Sequence, residues 1–222
     1  PLYPLLDAMR FVAAALVMFN HLRGRQFVSY SEVECTNSTV KQVFYCVTRL
    51  GVESVVVFFV LSGFLVGGLS VERFMRSKYD PRKYFIDRFS RIYTPLLPNI
   101  AITVGACIYF GFRTSAREVL ISLASLQGAF GPSIAINESL WSLTYEVWFY
   151  MLCGGLLALF QSPLRYKWIA FSVVAASAFV LSRLQVAYLF AWLLGSAAFF
   201  LKGWRPGLLM CVGLPLMATG VF

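Results

Sequence analysis

Apolar runs long enough to cross a lipid bilayer recur along this chain, and they constrain its fold more than any other feature. A membrane-spanning helix needs about 20 mostly apolar residues. Such runs lie at about 5–22, 51–71, 92–112 and 139–160. The apolar stretch 168–201 is interrupted by Arg183, so we expect two short spans joined by a tight turn there, and a further span after 206. The sequence therefore predicts an all-α fold, a polytopic transmembrane helix bundle of about seven spans.

The composition and charge agree with a membrane protein. Hydrophobic residues make up 59% of the chain and charged residues only 13%, which is too few for a soluble surface. The net charge of +9 does not indicate a nucleic-acid partner, because membrane proteins collect Lys and Arg in cytoplasmic loops. We expect the lipid bilayer as a partner and no nucleic acid. We also expect one transmembrane domain over 1–222 that is incomplete at its C-terminal end.

The distribution of basic residues predicts the orientation. If the N-terminus is cytoplasmic, the inside loops 72–91, 161–167 and 202–206 hold eleven Lys and Arg residues, and the outside loops hold seven. This bias favours a cytoplasmic N-terminus. Cys35 and Cys46 share one outside loop and would pair only in an oxidising compartment, which leaves their pairing open. With one histidine and no ligand cluster, we expect no metal site.

The first apolar run contains an arginine and the only histidine of the chain. Arg10 and His21 are eleven residues apart, which on a helix brings their side chains to within about 20° of one face. Asp7 lies one turn before Arg10 and can pair with it. Ionisable groups inside a membrane are costly and usually mark a functional pathway. The alternatives are that Arg10 pairs with Asp7 for packing and that His21 lies at the membrane interface. For His21 we favour a function.

Three further stretches place polar residues in or beside apolar runs. Glu146 lies inside the fourth run and needs a cationic or hydrogen-bonding partner, which His21 or an arginine could supply; a structural ion pair is the alternative. Ser62 with the following glycine indicates close helix packing. Arg88 and Arg91 are one turn apart and suit a phosphate, although arginines that flank a span are common on the cytoplasmic side.

Taken together, these stretches resemble a known family. The segments "LDAMRFVAAALVMFNH", "GVESVVVFFVLSGFLVG", "DRFSRIYTP" and "SLWSLTYEVWFY" are similar, in that order, to the signature segments of the membrane-bound acyltransferase family 3. Members of this family O-acylate cell-envelope polysaccharides, and acetyl is the commonest acyl group. The matched segments lie within about residues 5–150. Members normally have more spans than this chain shows.

The resemblance implies a reaction and a set of site residues. The donor would be acyl-CoA, usually acetyl-CoA, as a co-substrate with no tightly bound cofactor, and the acceptor a carbohydrate or glycolipid hydroxyl. Arg10, Arg88 and Arg91 would hold the anionic part of the donor. His21 would be the catalytic base or a transient acyl acceptor, and Glu146 would orient it. The residues expected to line the substrate path are Asp7, Ser62, Trp141 and Tyr145. A multi-pass protein of the bacterial cytoplasmic membrane is expected.

Two other classes of function fit the same residues. A transporter or flippase for a lipid-linked or anionic solute also uses intramembrane Arg, His and Glu residues. The chain shows no paired short or broken spans in corresponding halves, which argues against this class. A membrane scaffold without chemistry would tolerate replacement of His21 and Glu146.

Overall fold

The structure is a computed structural model that describes residues 2–27, 39–134, 136–161 and 163–201. Helices account for most of these residues, and this described part contains no β-strand. The helices are α1 (Leu2–Gln26), α2 (Thr39–Arg49), α3 (Gly51–Ser62), α4 (Leu69–Met75), α5 (Pro81–Phe110), α6 (Ala116–Leu123), α7 (Trp141–Gln161), α8 (Leu164–Leu181) and α9 (Val186–Phe200). A π-helical segment, Gly63–Gly68, joins α3 to α4 without a break, and a short 3₁₀ turn, Glu138–Leu140, precedes α7.

The predicted fold class is confirmed. Five helical segments are long and apolar enough to cross a membrane, namely Pro4–Gly24, Thr39–Met75, Pro81–Phe110, Trp141–Gln161 and Leu164–Leu181. The shorter apolar helix α9 follows α8 after a turn at 182–185, as the interruption at Arg183 predicts. The protein is therefore a multi-pass integral membrane protein. The seventh predicted span, Cys35 and its pairing with Cys46 involve residues outside the described part of the chain.

Two boundaries differ from the sequence prediction. Part of the loop predicted to precede residue 51 is helical, since α2 runs from Thr39 to Arg49. Helix α5 begins at Pro81, eleven residues before the predicted span at 92. Asp80 caps α5 because its side chain accepts a hydrogen bond from the Lys83 amide at 3.2 Å, and proline suits the first helical position. Hydropathy finds only the apolar part of such a helix.

An aromatic core joins α3, α7 and α9. The ring of Phe59 lies 5.3–5.6 Å from the rings of Tyr145, Phe149 and Tyr188, and the ring of Phe149 lies 5.7 Å from that of Trp192. Most of these pairs meet edge-on or tilted, which is the favoured geometry for aromatic rings. This core fixes the face of α7 on which the polar residues of the site lie.

Glycines bring α3 and the π segment into backbone contact with α9. A methyl group at Gly63 would lie 1.9 Å from the Trp192 carbonyl oxygen, and one at Gly195 would lie 2.1 Å from the Val60 carbonyl oxygen. The hydroxyl of Ser196 donates to the Gly63 carbonyl at 3.0 Å across this contact. Gly63 therefore has the packing role that the sequence suggested for this stretch.

Helix α5 contains Pro95 and Pro98 in its interior. Proline has no amide hydrogen, so Pro95 cannot donate to the carbonyl of Arg91 one turn earlier. Spanning helices tolerate such gaps where the freed carbonyl meets another polar group or a cavity. Pro95 does line a cavity, and this cavity contains the candidate site.

Candidate functional site

A cavity of about 430 Å³ lies among α1, α3, α5 and α7. Its polar lining comes from Arg10 on α1, Arg91 and Asn99 on α5, and Glu146 on α7. The remaining wall is apolar and consists of Phe58, Ile92, Pro95, Leu96, Leu140 and Leu143. The structure therefore brings three of the ionisable residues singled out in the sequence, Arg10, Arg91 and Glu146, to one cavity.

The charges in this cavity are not paired with one another. Among the described side chains, the single ion pair within 4.0 Å joins Arg76 to Glu72 on α4 and its C-terminal end. Neither Arg10 nor Arg91 is within that distance of Glu146, and the pairing of Arg10 with Asp7 that the spacing allowed is not formed. Asp7 is exposed on α1. Two guanidinium groups thus share an apolar-walled cavity with one carboxylate.

Glu146 is held by a hydrogen bond from the next turn of its own helix. The Tyr150 hydroxyl donates to Oε1 of Glu146 at 2.5 Å. The Tyr150 hydroxyl also lies 3.0 Å from the Ser62 hydroxyl, and Nε1 of Trp192 donates to Ser62 Oγ at 3.3 Å. A chain of side-chain hydrogen bonds therefore connects α9, α3 and α7 and ends at the carboxylate in the cavity.

Arg88 and Arg91 have different surroundings despite being one turn apart. Arg91 is exposed and lines the cavity, whereas Arg88 does not line it. The guanidinium carbon of Arg88 lies 5.8 Å from the centre of the Tyr150 ring and 5.9 Å from that of Tyr84, within cation–π range. Nε of Arg88 is buried and makes no hydrogen bond to any residue that the structure describes. The spacing alone could not predict this separation, because neighbouring aromatic rings decide it.

His21 lies away from the cavity. Its neighbour Asn20 packs directly on Gly51, so this end of α1 is level with the first residue of α3. Phe58, which lines the cavity beside Glu146, is seven residues further along α3, a rise of about 10 Å. In the described part of the chain, no hydrogen bond joins His21 to Glu146, whose carboxylate instead accepts from Tyr150.

The remaining predicted site residues belong to the core rather than to the cavity wall. Trp141 and Tyr145 pack on one another with ring centres 5.9 Å apart, and both contact Tyr188. The Tyr145 hydroxyl accepts a hydrogen bond from the Gln185 amide at 3.1 Å. Ser62 is buried within the hydrogen-bond chain.

Asn99 and Tyr150 are site residues that the sequence analysis did not single out. Asn99 was detectable as an amide side chain within an apolar run. Its Oδ1 accepts a hydrogen bond from Asn137 at 2.6 Å, which ties the loop before α7 to α5. Tyr150 lies one helical turn after Glu146 in the sequence, but tyrosine is common in spanning helices near the membrane interface, so this spacing alone did not mark it as a site residue.

The protein is a polytopic helix bundle in which two arginines and a glutamate line one cavity, and comparison with known proteins gives its family. Residues 3–222 match the sequence model of a family described as "Acyltransferase domain", acyltransferase family 3. The protein belongs to this family. A Haemophilus influenzae protein described as uncharacterized is 26% identical over 139 residues, which cover 56% of this chain and 57% of that protein. No solved structure matches the chain.

Proposed function

We propose that this protein transfers an acyl group, acetyl in the first instance, from acyl-CoA to a hydroxyl of a cell-envelope carbohydrate or glycolipid. The basic segments 72–91 and 161–167 favour a cytoplasmic N-terminus in the bacterial cytoplasmic membrane. The proposal depends most on the two guanidinium groups that line the cavity without an ion-pair partner among the described side chains. Free guanidinium groups in an apolar surrounding attract phosphates strongly, and acyl-CoA carries several of them.

Arg10 and Arg91 would hold the phosphates of the donor. Arg88 would add positive charge one turn from Arg91, from its place between the two tyrosine rings. On α1, His21 lies about 16 Å beyond Arg10 on the same face. The extended pantetheine arm of CoA could follow this face of α1, so that the thioester reaches the His21 end of the helix.

His21 would act as the general base on the acceptor hydroxyl. As its imidazole removes the hydroxyl proton, the oxygen attacks the thioester carbonyl. The carbon–sulfur bond then breaks, and the CoA thiolate leaves and takes up a proton. Glu146 would favour this step from a distance, because a carboxylate in the same helix bundle stabilises an imidazolium electrostatically. The core residues next to the cavity, Ser62, Trp141 and Tyr145, would hold the helices that line the substrate path. Asp7 would lie at the edge of this path on α1.

We expect Arg91→Ala to raise the KM for acetyl-CoA about tenfold and to change kcat little, because one charge-assisted contact to the donor is lost. The measurement is the release of free CoA thiol by isolated membranes together with the transfer of labelled acetyl groups to envelope glycan. Arg82→Ala is the matched control, because Arg82 lies on the same helix, is exposed and does not line the cavity.

Two results would contradict parts of the proposal. An unchanged KM for Arg91→Ala would show that Arg91 serves only the orientation of the protein in the membrane. If membranes with the wild-type protein release no thiol from any acyl-CoA tested, acyl transfer from CoA is wrong, and transport of an anionic solute becomes the better explanation of the cavity.

A further inference from the structure

The hydrogen-bond chain that ends at Glu146 has one direction. The indole of Trp192 can only donate, so Ser62 Oγ accepts from it and keeps its own proton for another acceptor. An ionised carboxylate can only accept, so the Tyr150 proton points to Glu146. Tyr150 must then accept from Ser62, 3.0 Å away. Three donors in series thus point towards the carboxylate.

The residues of this hydrogen-bond chain are buried, so water cannot easily replace its hydrogen bonds. Tyr150 is 3% exposed, Trp192 4% and Ser62 5%, so water has little access to their hydrogen-bonding groups. A second hydrogen bond, from the Tyr84 hydroxyl to the Tyr150 carbonyl at 3.1 Å, ties the same residue to α5. The position of the Tyr150 hydroxyl is therefore fixed from several helices, and the hydroxyl has no solvent alternative to Glu146.

Two guanidinium groups could compete with Tyr150 for the carboxylate of Glu146. Its carboxylate shares a cavity of about 430 Å³ with Arg10 and Arg91, and a carboxylate would normally pair with a guanidinium in an apolar surrounding. It pairs with neither within 4.0 Å and accepts from Tyr150 instead. An ion pair with either arginine would neutralise a group that the donor phosphates need.

We infer that Tyr150 is a positioning residue that holds the Glu146 carboxylate away from Arg10 and Arg91 and so keeps both guanidinium groups available to an anionic acyl donor. The inference rests on the proposed function, because it concerns the arginines that bind the donor there. The guanidinium carbon of Arg88 lies 5.8 Å from the centre of the Tyr150 ring, and this cation–π contact would help to keep the ring in the orientation that the hydrogen bond needs.

The test measures the binding of radiolabelled acetyl-CoA to the protein in its membrane. Tyr150→Phe keeps the ring and its packing but loses the hydroxyl, so Glu146 becomes free to pair with an arginine. We expect the Kd for acetyl-CoA to rise about tenfold, the effect of losing one charge-assisted hydrogen bond to the donor. Tyr79→Phe is the matched control, because it removes a buried hydroxyl that donates to the carbonyl of Gly154 on α7 and makes no hydrogen bond to Tyr150 or Glu146. Its Kd should match that of the wild type.

A second substitution separates this role from a merely structural one. Glu146→Gln removes the competing charge, so this variant should bind acetyl-CoA at least as tightly as the wild type. In Tyr150→Phe combined with Glu146→Gln, the affinity should return to within about threefold of the Glu146→Gln variant. Damaged packing at position 150 would persist in the double variant.

The outcomes are distinct. Weaker binding in Tyr150→Phe that Glu146→Gln reverses supports the inference. Unchanged binding in Tyr150→Phe overturns it, and so does a loss of affinity that Glu146→Gln leaves in place. If the wild type fails to bind acetyl-CoA at all, the proposed function is wrong and the inference fails with it.

Discussion

Replacing His21 with alanine is expected to lower acyl transfer about 1,000-fold while the protein still inserts into the membrane, because a positioned general base contributes on this scale. His21→Gln should be nearly as inactive, since an amide side chain donates and accepts hydrogen bonds but is not basic. The KM for acetyl-CoA should change little in both variants, because Arg10 lies about 16 Å away along α1 and Arg91 lies on α5, at the same cavity as Arg10. Thiol release and labelled product, followed together, provide the measurement.

The matched control for this experiment is Met18→Ala. Met18 lies on α1 one turn before His21 and is 59% exposed, so its loss alters neither the cavity nor the packing of α1 on α3. If both His21 variants keep activity within tenfold of this control, His21 is not the base. Retention of activity would instead direct attention to the carboxylate in the cavity.

The second large effect is expected at the contact between α3 and α9. A methyl group at Gly195 would lie 2.1 Å from the carbonyl oxygen of Val60, a backbone atom that cannot move aside alone. We expect Gly195→Ala to destabilise the protein by about 3 kcal/mol, at the upper end of overpacking effects. It should also lower acetyl transfer, because α9 carries Trp192, the first donor of the chain that leads to Glu146. Thermal unfolding in detergent, followed by size-exclusion chromatography, measures the loss.

Gly105→Ala is the control for the glycine experiment. Gly105 is also in a long helix, but no described residue packed against that helix would lie within 4 Å of a methyl group there. Alanine favours a helix more than glycine does, so this variant should be as stable as the wild type or more stable by up to about 1 kcal/mol. Equal destabilisation by both substitutions would mean that the close approach of α3 and α9 contributes little.

Much of the fold was predictable, because a membrane-spanning helix is recognised from a continuous apolar run in the local sequence. The spans and the turn at Arg183 followed from apolar runs and one interruption. The start of α5 at Pro81 did not, because its first turns carry basic side chains that lower the mean hydropathy although they favour a helix. Helix α2 was missed for the same reason. Its polar face lowers the mean hydropathy of a stretch that the sequence analysis assigned to a loop.

The candidate site was predictable only in part. Arg10, Arg91 and Glu146 were recognisable as costly charges in or beside apolar runs, and the structure places all three at one cavity. The spacing of residues in the sequence could not show whether His21 contacts Glu146. That contact depends on the relative position of α1 and α3 along their axes. That register is determined by packing between distant segments, such as Asn20 on Gly51. Likewise, the surroundings of Arg88 differ from those of Arg91 because Arg88 lies beside the rings of Tyr150 on α7 and Tyr84 on α5.

The glycine contacts also determine how the chain is threaded through the bilayer. Val60 meets Gly195, and further along Gly68 meets Phe199, so contacting positions advance together on the two segments. The two segments therefore run parallel, which requires an odd number of crossings between them. Helices α5, α7 and α8 supply three, so the shorter α6 cannot be a crossing. With this number of crossings, the turn at Arg183 lies on the same side of the membrane as the His21 end of α1. The basic segment 72–91 lies on the opposite side.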